Sequence, residues 1–160
     1  MKKKLPDGTE GDWEQGPGPW DGERDEVRVK WGKYELLAKR NLITGAWLGY
    51  VGVREGHRWF GVDYNDISAD VHGGLTYSGT HWGESGDVWW VGFDCAHFYT
   101  DIVPGFKKGE VFSYPGATYK DLPFVWTELY KLAARAARAN KGRRKKPLPV
   151  DDPIEDKCPF

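Results

Sequence analysis

The sequence predicts an α+β fold, a twisted, mainly antiparallel sheet packed by one long C-terminal helix, with flexible termini. Three observations predict it. Apolar and polar residues alternate from Glu26, a glycine-containing apolar run covers residues 46–53, and a single long stretch after residue 121 carries helical spacing. The 160 residues give room for one domain, expected over 24–141, between a flexible arm at 1–23 and a disordered charged tail at 142–160.

The arm is expected because Gly16-Pro17-Gly18-Pro19 has no apolar periodicity around it. Order begins at Glu26-Val27-Arg28-Val29-Lys30-Trp31, where Val27, Val29 and Trp31 share one face of a half-buried strand. Tyr34 to Lys39 forms the second arm of a hairpin across Gly32-Lys33, and Asn41 to Thr44 the next turn. Ala46 to Val53 reads as a central strand whose two glycines admit another backbone or a ligand. Further strands are expected at Asp70 to Tyr77 and Val88 to Cys95, separated by loops at Glu55 to Ser68 and Ser78 to Asp87. In Val88 to Cys95, Trp89 and Trp90 point to opposite faces, so at least one of them is core. The helix is expected from Leu122 to Asn140, with Val125, Leu129, Leu132, Ala133 and Ala136 on one face and Asp121 or Thr118 as its cap.

Composition excludes several classes of function. No apolar run reaches the length of a membrane span, and the basic start lacks the apolar core of a secretory signal, so no membrane partner is expected. A net charge of −1 argues against a domain that neutralises many phosphates on duplex nucleic acid. Two cysteines, Cys95 and Cys158, cannot build a disulfide framework, which points to a reducing compartment. There is no phosphate-binding glycine loop, no dinucleotide fingerprint, no nucleophile elbow around Ser78 or Ser85, and no H-E-x-x-H helix.

The densest polar constellation joins Asp63-Tyr64-Asn65-Asp66, the stretch Asp70 to Tyr77, and Asp94-Cys95-Ala96-His97 with Asp101. In a strand over 70–76, Asp70, His72, Gly74 and Thr76 would share one face, with the glycines allowing close approach. Histidine and carboxylate together suit two chemistries. His72, His97, Asp94 and Asp101 could hold a divalent metal that activates water, or a histidine could act as a general base oriented by a carboxylate. For an enzyme, His72, His97 and Asp94 are the catalytic candidates. The competing expectation is that each histidine and carboxylate has a purely structural hydrogen-bond partner. A thiolate role for Cys95 is disfavoured by its apolar strand.

A binding protein would use the same region differently. Trp59 and Trp82, in loops, could stack on a base, with Arg54, Arg58, Lys107 or Lys108 reaching phosphates. The expected ligand set is His72, Gly73, Gly74, Thr76, Tyr64, Asp66, Trp59, Trp82 and Arg58. Twenty-four aromatic residues also make a homodimer plausible, since aromatic surface favours association.

The segments Gly49-Tyr50-Val51-Gly52-Val53, Val71-His72-Gly73-Gly74-Leu75-Thr76-Tyr77-Ser78-Gly79 and Trp89-Trp90-Val91-Gly92-Phe93-Asp94-Cys95-Ala96-His97 together resemble a family of small bacteriophage-encoded proteins. The resemblance covers residues 46–101 and extends to the helix from Tyr119. It implies an accessory protein acting in the cytoplasm of an infected bacterium and gives the His/Asp/Gly cluster more weight as a site. By analogy of setting, a counter-defence role is expected, with sequestration of a small, anionic, nucleotide-like signalling ligand placed first. A metal-assisted hydrolase acting on such a ligand is the alternative, and an inhibitor of a host protein the third.

Overall fold

A computed structural model describes residues 2–4, 10–14, 18–20, 22–81, 84–105 and 114–141, the first two segments through their backbone alone. The expected tail at 142–160, and with it Cys158, lies outside the described residues, as do Trp82, Lys107 and Lys108.

The architecture is the expected one. Strands β3 (Glu26–Trp31), β4 (Tyr34–Arg40), β5 (Trp47–Arg54), β6 (Tyr77–Gly79) and β7 (Val88–Asp94) form one antiparallel sheet in the order β3-β4-β5-β7-β6, and helix α1 (Leu122–Lys141) packs across it. Two short pairs stand apart from that sheet, β1 (Lys2–Lys4) with β2 (Glu10–Glu14), and β8 (Asp101–Ile102) with β9 (Thr118–Tyr119), the latter parallel. No described helix is long and apolar enough to cross a membrane.

Period-two patterning decides which side chains meet the helix. Leu36, Ala38, Val51, Val53, Val91 and Phe93 face α1 and pack on Val125, Leu129, Leu132, Ala133 and Ala136. Leu37, Tyr50, Val88 and Trp90 occupy the opposite face. Adjacent Trp89 and Trp90 do split between the two sides. Gly49 makes the close helix contact possible, because a Cβ there would lie 2.6 Å from the Phe93 ring and 3.2 Å from Leu129 Cδ2. The helix starts where expected. Asp121 caps it, its Oδ1 accepting the Phe124 N–H at 2.9 Å.

Two local expectations are corrected. Val29 and Trp31 are each more than a third exposed, because β3 is the outer strand and pairs with β4 alone. Residues 71–74 form a turn, with strand only from Tyr77 to Gly79, so Asp70, His72, Gly74 and Thr76 do not share a strand face. Two glycines explain this, since Gly73 and Gly74 take φ of +66° and +83°, left-handed values foreign to a strand. The expected arm is also tied in at its end. Trp20 packs edge-on against Tyr119 at 5.3 Å, and Glu23 accepts from the Tyr119 hydroxyl and the Leu122 N–H, each at 2.6 Å.

Candidate metal centre

Three short segments bring two histidines onto one buried carboxylate. Asp101 opens β8, and its side chain is fully buried. His72 occupies the second position of a turn closed by the Gly74 N–H donating to the Val71 carbonyl at 2.9 Å. His97 begins the turn that leads into β8, where the N–H groups of Thr100 and Asp101 donate to its carbonyl at 3.1 and 2.9 Å. Gly73 is required between them. A Cβ at that position would run into the His97 ring, and its φ is left-handed besides.

The carboxylate is the hub. Nε2 of His72 lies 2.9 Å from both Asp101 oxygens, and Nδ1 of His97 lies 3.0 Å from Oδ2. The His97 N–H also donates to Oδ2 at 2.9 Å, and the Thr100 hydroxyl to Oδ1 at 3.0 Å. Lys120 Nζ stands 3.4 Å from Oδ1. Burial by itself would push the Asp101 carboxyl up, but hydrogen bonds from His72 and from the N–H and ring of His97 outweigh it and hold the group down at about 2. It is therefore a full negative charge at neutral pH.

The two imidazoles meet edge to face, with centroids 5.1 Å apart. Phe124, on the first turn of α1, packs against His72 at the same separation, and Glu128 one turn on accepts the His72 N–H at 2.9 Å. The helix thus fixes the histidine turn through one aromatic contact and one charged hydrogen bond.

One ligand atom from each of His72, His97 and Asp101 lies within 4.8 Å of the other two, the arrangement from which a divalent ion can be held. Both donor types suit a first-row metal, and three protein ligands leave positions open for water or substrate. The Thr100 hydroxyl and the His97 N–H would orient the carboxylate. Hydrogen bonding to Asp101 puts the proton of His72 on Nε2 and that of His97 on Nδ1, as inferred from the network. Coordination through those atoms would move each proton to the other ring nitrogen.

Asp94 stands at the margin of this group. Its Oδ1 is 3.9 Å from His97 Nδ1 and accepts the Ala96 N–H at 3.0 Å, and it is not among the three convergent ligands. The chain does turn at Ala96, which brings Asp94 and His97 together. Cys95 is buried, and burial together with the nearby Asp101 and Asp94 charges pushes its thiol far up. That environment disfavours the thiolate a nucleophile would need.

The rest of the expected ligand set lies elsewhere. Trp59 is 6% exposed and packs in the main core against His57, with centroids 5.6 Å apart, so it cannot stack on a base. Its loop was misleading because a tight turn folds Trp59 inward. Among the described residues no hydrogen bond, ion pair or ring contact joins Tyr64, Asp66, Arg58, Gly74 or Thr76 to the cluster. The Tyr64 N–H donates to the Ser78 hydroxyl at 2.9 Å and the Thr76 N–H to the Gly92 carbonyl at 2.9 Å, which are roles in holding loops on the sheet. Asp70 is exposed and sits 3.5 Å from Arg135. Thr100, Lys120, Phe124 and Glu128 escaped sequence reasoning. Thr100 acts on the adjacent Asp101, while Lys120, Phe124 and Glu128 reach the cluster only through the packing of α1 and the segment after β9, which no local pattern marks. No family model, curated protein or solved structure matches the chain, so fold and local geometry carry the functional argument.

Proposed function

We propose that the protein is a metal-assisted hydrolase of small phosphate esters, with His72, His97 and Asp101 as the metal ligands. The observation that carries this reading is the convergence of two imidazole nitrogens and one buried, ionised carboxylate from three separate segments. A divalent ion held there would acidify a bound water and polarise a phosphoryl oxygen. Asp94, half-buried beside His97, would take the proton of that water. As the bond from the water oxygen to phosphorus forms and the bond to the leaving oxygen breaks, Asp94 would return that proton to the leaving oxygen. Lys120 adds positive charge beside the carboxylate, which favours an anionic substrate. The resemblance to bacteriophage proteins keeps nucleotide-like esters first among the probes.

Sequestration without turnover was the leading expectation from sequence. It has lost its aromatic support at Trp59, which is core, and Trp82 lies outside the described residues.

The test has two arms. Metal content is measured on purified protein after incubation with zinc, manganese or nickel, and the loaded protein is mixed with a panel of linear and cyclic nucleotides for product analysis. About one ion per chain, and turnover lost in His97→Ala, are expected. A nucleotide that disappears and returns intact on heating would replace hydrolysis by sequestration, and absence of metal binding would remove the centre.

A further inference from the structure

Strand β3 ends the sheet. It is bonded to β4 along its whole length, and no described strand pairs with its other edge. The register decides which backbone groups point to that edge. Trp31 and Tyr34 flank the two-residue turn Gly32-Lys33, in which Gly32 takes a φ of +58°, so they close the hairpin as a hydrogen-bonded pair. Bonded and non-bonded pairs alternate along an antiparallel ladder, so Val29 bonds Leu36 and Val27 bonds Ala38. The Arg40 N–H, donating to the Asp25 carbonyl at 2.9 Å, continues the same alternation. The N–H and C=O groups of Glu26, Arg28 and Lys30 therefore point away from β4, to the outer edge.

The side chains here carry both signs and an apolar strip. Val27, Val29 and Trp31 lie on the helix side, opposite Ala38, Leu36 and Tyr34, and both Val29 and Trp31 are more than a third exposed. Tyr130 of α1, also exposed, meets Trp31 edge-on at 6.5 Å and widens the strip. The other face holds Glu26, Arg28 and Lys30. Arg28 leans back over its own sheet, bonded to Glu84, 3.6 Å from Glu35 and 5.3 Å from the Trp90 ring centroid. Glu26 and Lys30 are exposed, and among the described residues their side chains have no ion-pair or hydrogen-bond partner.

We propose that β3 pairs antiparallel with β3 of a second copy of this chain, about a two-fold axis through Arg28 that joins the two sheets into one. In that register Arg28 faces its own copy, Glu26 faces the second copy's Lys30 and Lys30 its Glu26, and each pair exchanges the outward backbone hydrogen bonds. Val27 then lies beside the second copy's Val29, on the side that carries both helices. Charge selects this register. A slide of two residues, the smallest that keeps outward groups opposite one another, sets Lys30 against the second copy's Arg28 in one direction and its Arg24 in the other, like charges both times.

Sedimentation equilibrium of the full chain between about 1 and about 100 μM tests the pairing and should show a reversible dimer. Glu26→Lys and Lys30→Glu each set like charges opposite one another twice, and each should weaken self-association at least about tenfold while still unfolding cooperatively in urea. An equimolar mixture of the two variants regains both opposite-charge pairs and should form a heterodimer about as tightly as the parent dimerises. Lys30→Pro removes an N–H that has no partner within the chain, which an edge strand tolerates, and should also abolish dimerisation. A parent that sediments as a monomer throughout would overturn the proposal and leave the edge to an extended segment of another protein. A dimer that neither charge change weakens, or a mixture that restores nothing, would overturn it as well.

Discussion

Asp101 and His97 sit in one cluster but have different structural weight. Asp101 is buried and accepts from His72, His97 and Thr100, so Asp101→Ala would strand several donors at once. A loss of about 3 kcal/mol is expected in urea denaturation. The His97 side chain is 29% exposed, and His97→Ala should cost no more than about 1 kcal/mol while abolishing metal retention, read by metal analysis of the folded variant. Equal destabilisation by both changes, with metal retention intact, would make the cluster a structural clamp. The sequence made His72, His97 and Asp101 visible as residue types. It could not pair them, because the pairing depends on turns at residues 71–74 and 97–100 that place the rings around one carboxylate.

At the scale of elements, the helix cap and the loop over the outer sheet face each yield a prediction. Asp121→Ala removes the side-chain acceptor of the Phe124 N–H and should cost about 1 kcal/mol in thermal or urea unfolding. The same turn carries Phe124 onto His72, so fraying there should also loosen the cluster.

On the outer face, His81 lies 4.7 Å from both Tyr50 and Trp90 and stacks on Tyr77 at 5.9 Å. Burial first, then the Lys39 charge and, more weakly, Arg28, push its imidazole down to about 4, with Glu84 opposing them. The unfolded chain takes up this proton near the ordinary histidine value of about 6.5 and the folded chain only near 4. Stability should therefore fall as pH drops through that window. His57 is also held down by burial and acts in the same direction. His81→Phe retains the ring contacts and removes one titration, so its melting temperature should fall less than that of the parent between neutral pH and pH about 4. Parallel curves for the two proteins would assign the pH dependence elsewhere.

Across the whole molecule, Arg40 ties together parts distant in sequence. It is 2% exposed, donates to the Gly45 carbonyl at 2.9 Å and the Tyr119 hydroxyl at 2.7 Å, and pairs with Glu23 at 3.4 Å. Its guanidinium lies 4.2 Å from the Trp47 ring centroid. Arg40→Ala should cost about 3 kcal/mol, because it removes a buried guanidinium that donates to the Gly45 carbonyl and the Tyr119 hydroxyl, pairs with Glu23 and covers the Trp47 ring. A urea midpoint within error of the parent would show that this junction is not a determinant of stability. Tyr119, which accepts from Arg40, also packs against Trp20. Nothing in the glycine- and proline-rich sequence before residue 23 announces that docking, since its partners are Tyr119 and the first turn of α1.

The sequence by itself determined the α+β class, the hairpin across Gly32-Lys33, the central strand, the span of the helix and the split of Trp89 from Trp90. These follow from local periodicity, turn chemistry and capping, which act between residues close in the chain. Only the tertiary structure decided that residues 71–74 turn, that Trp59 is core, that β3 is an edge, and that Lys120, Phe124 and Glu128 attend the histidine cluster. The 71–74 turn is permitted locally by Gly73 and Gly74, and the other outcomes rest on contacts between segments far apart in the chain, where burial and charge compensation override local preference.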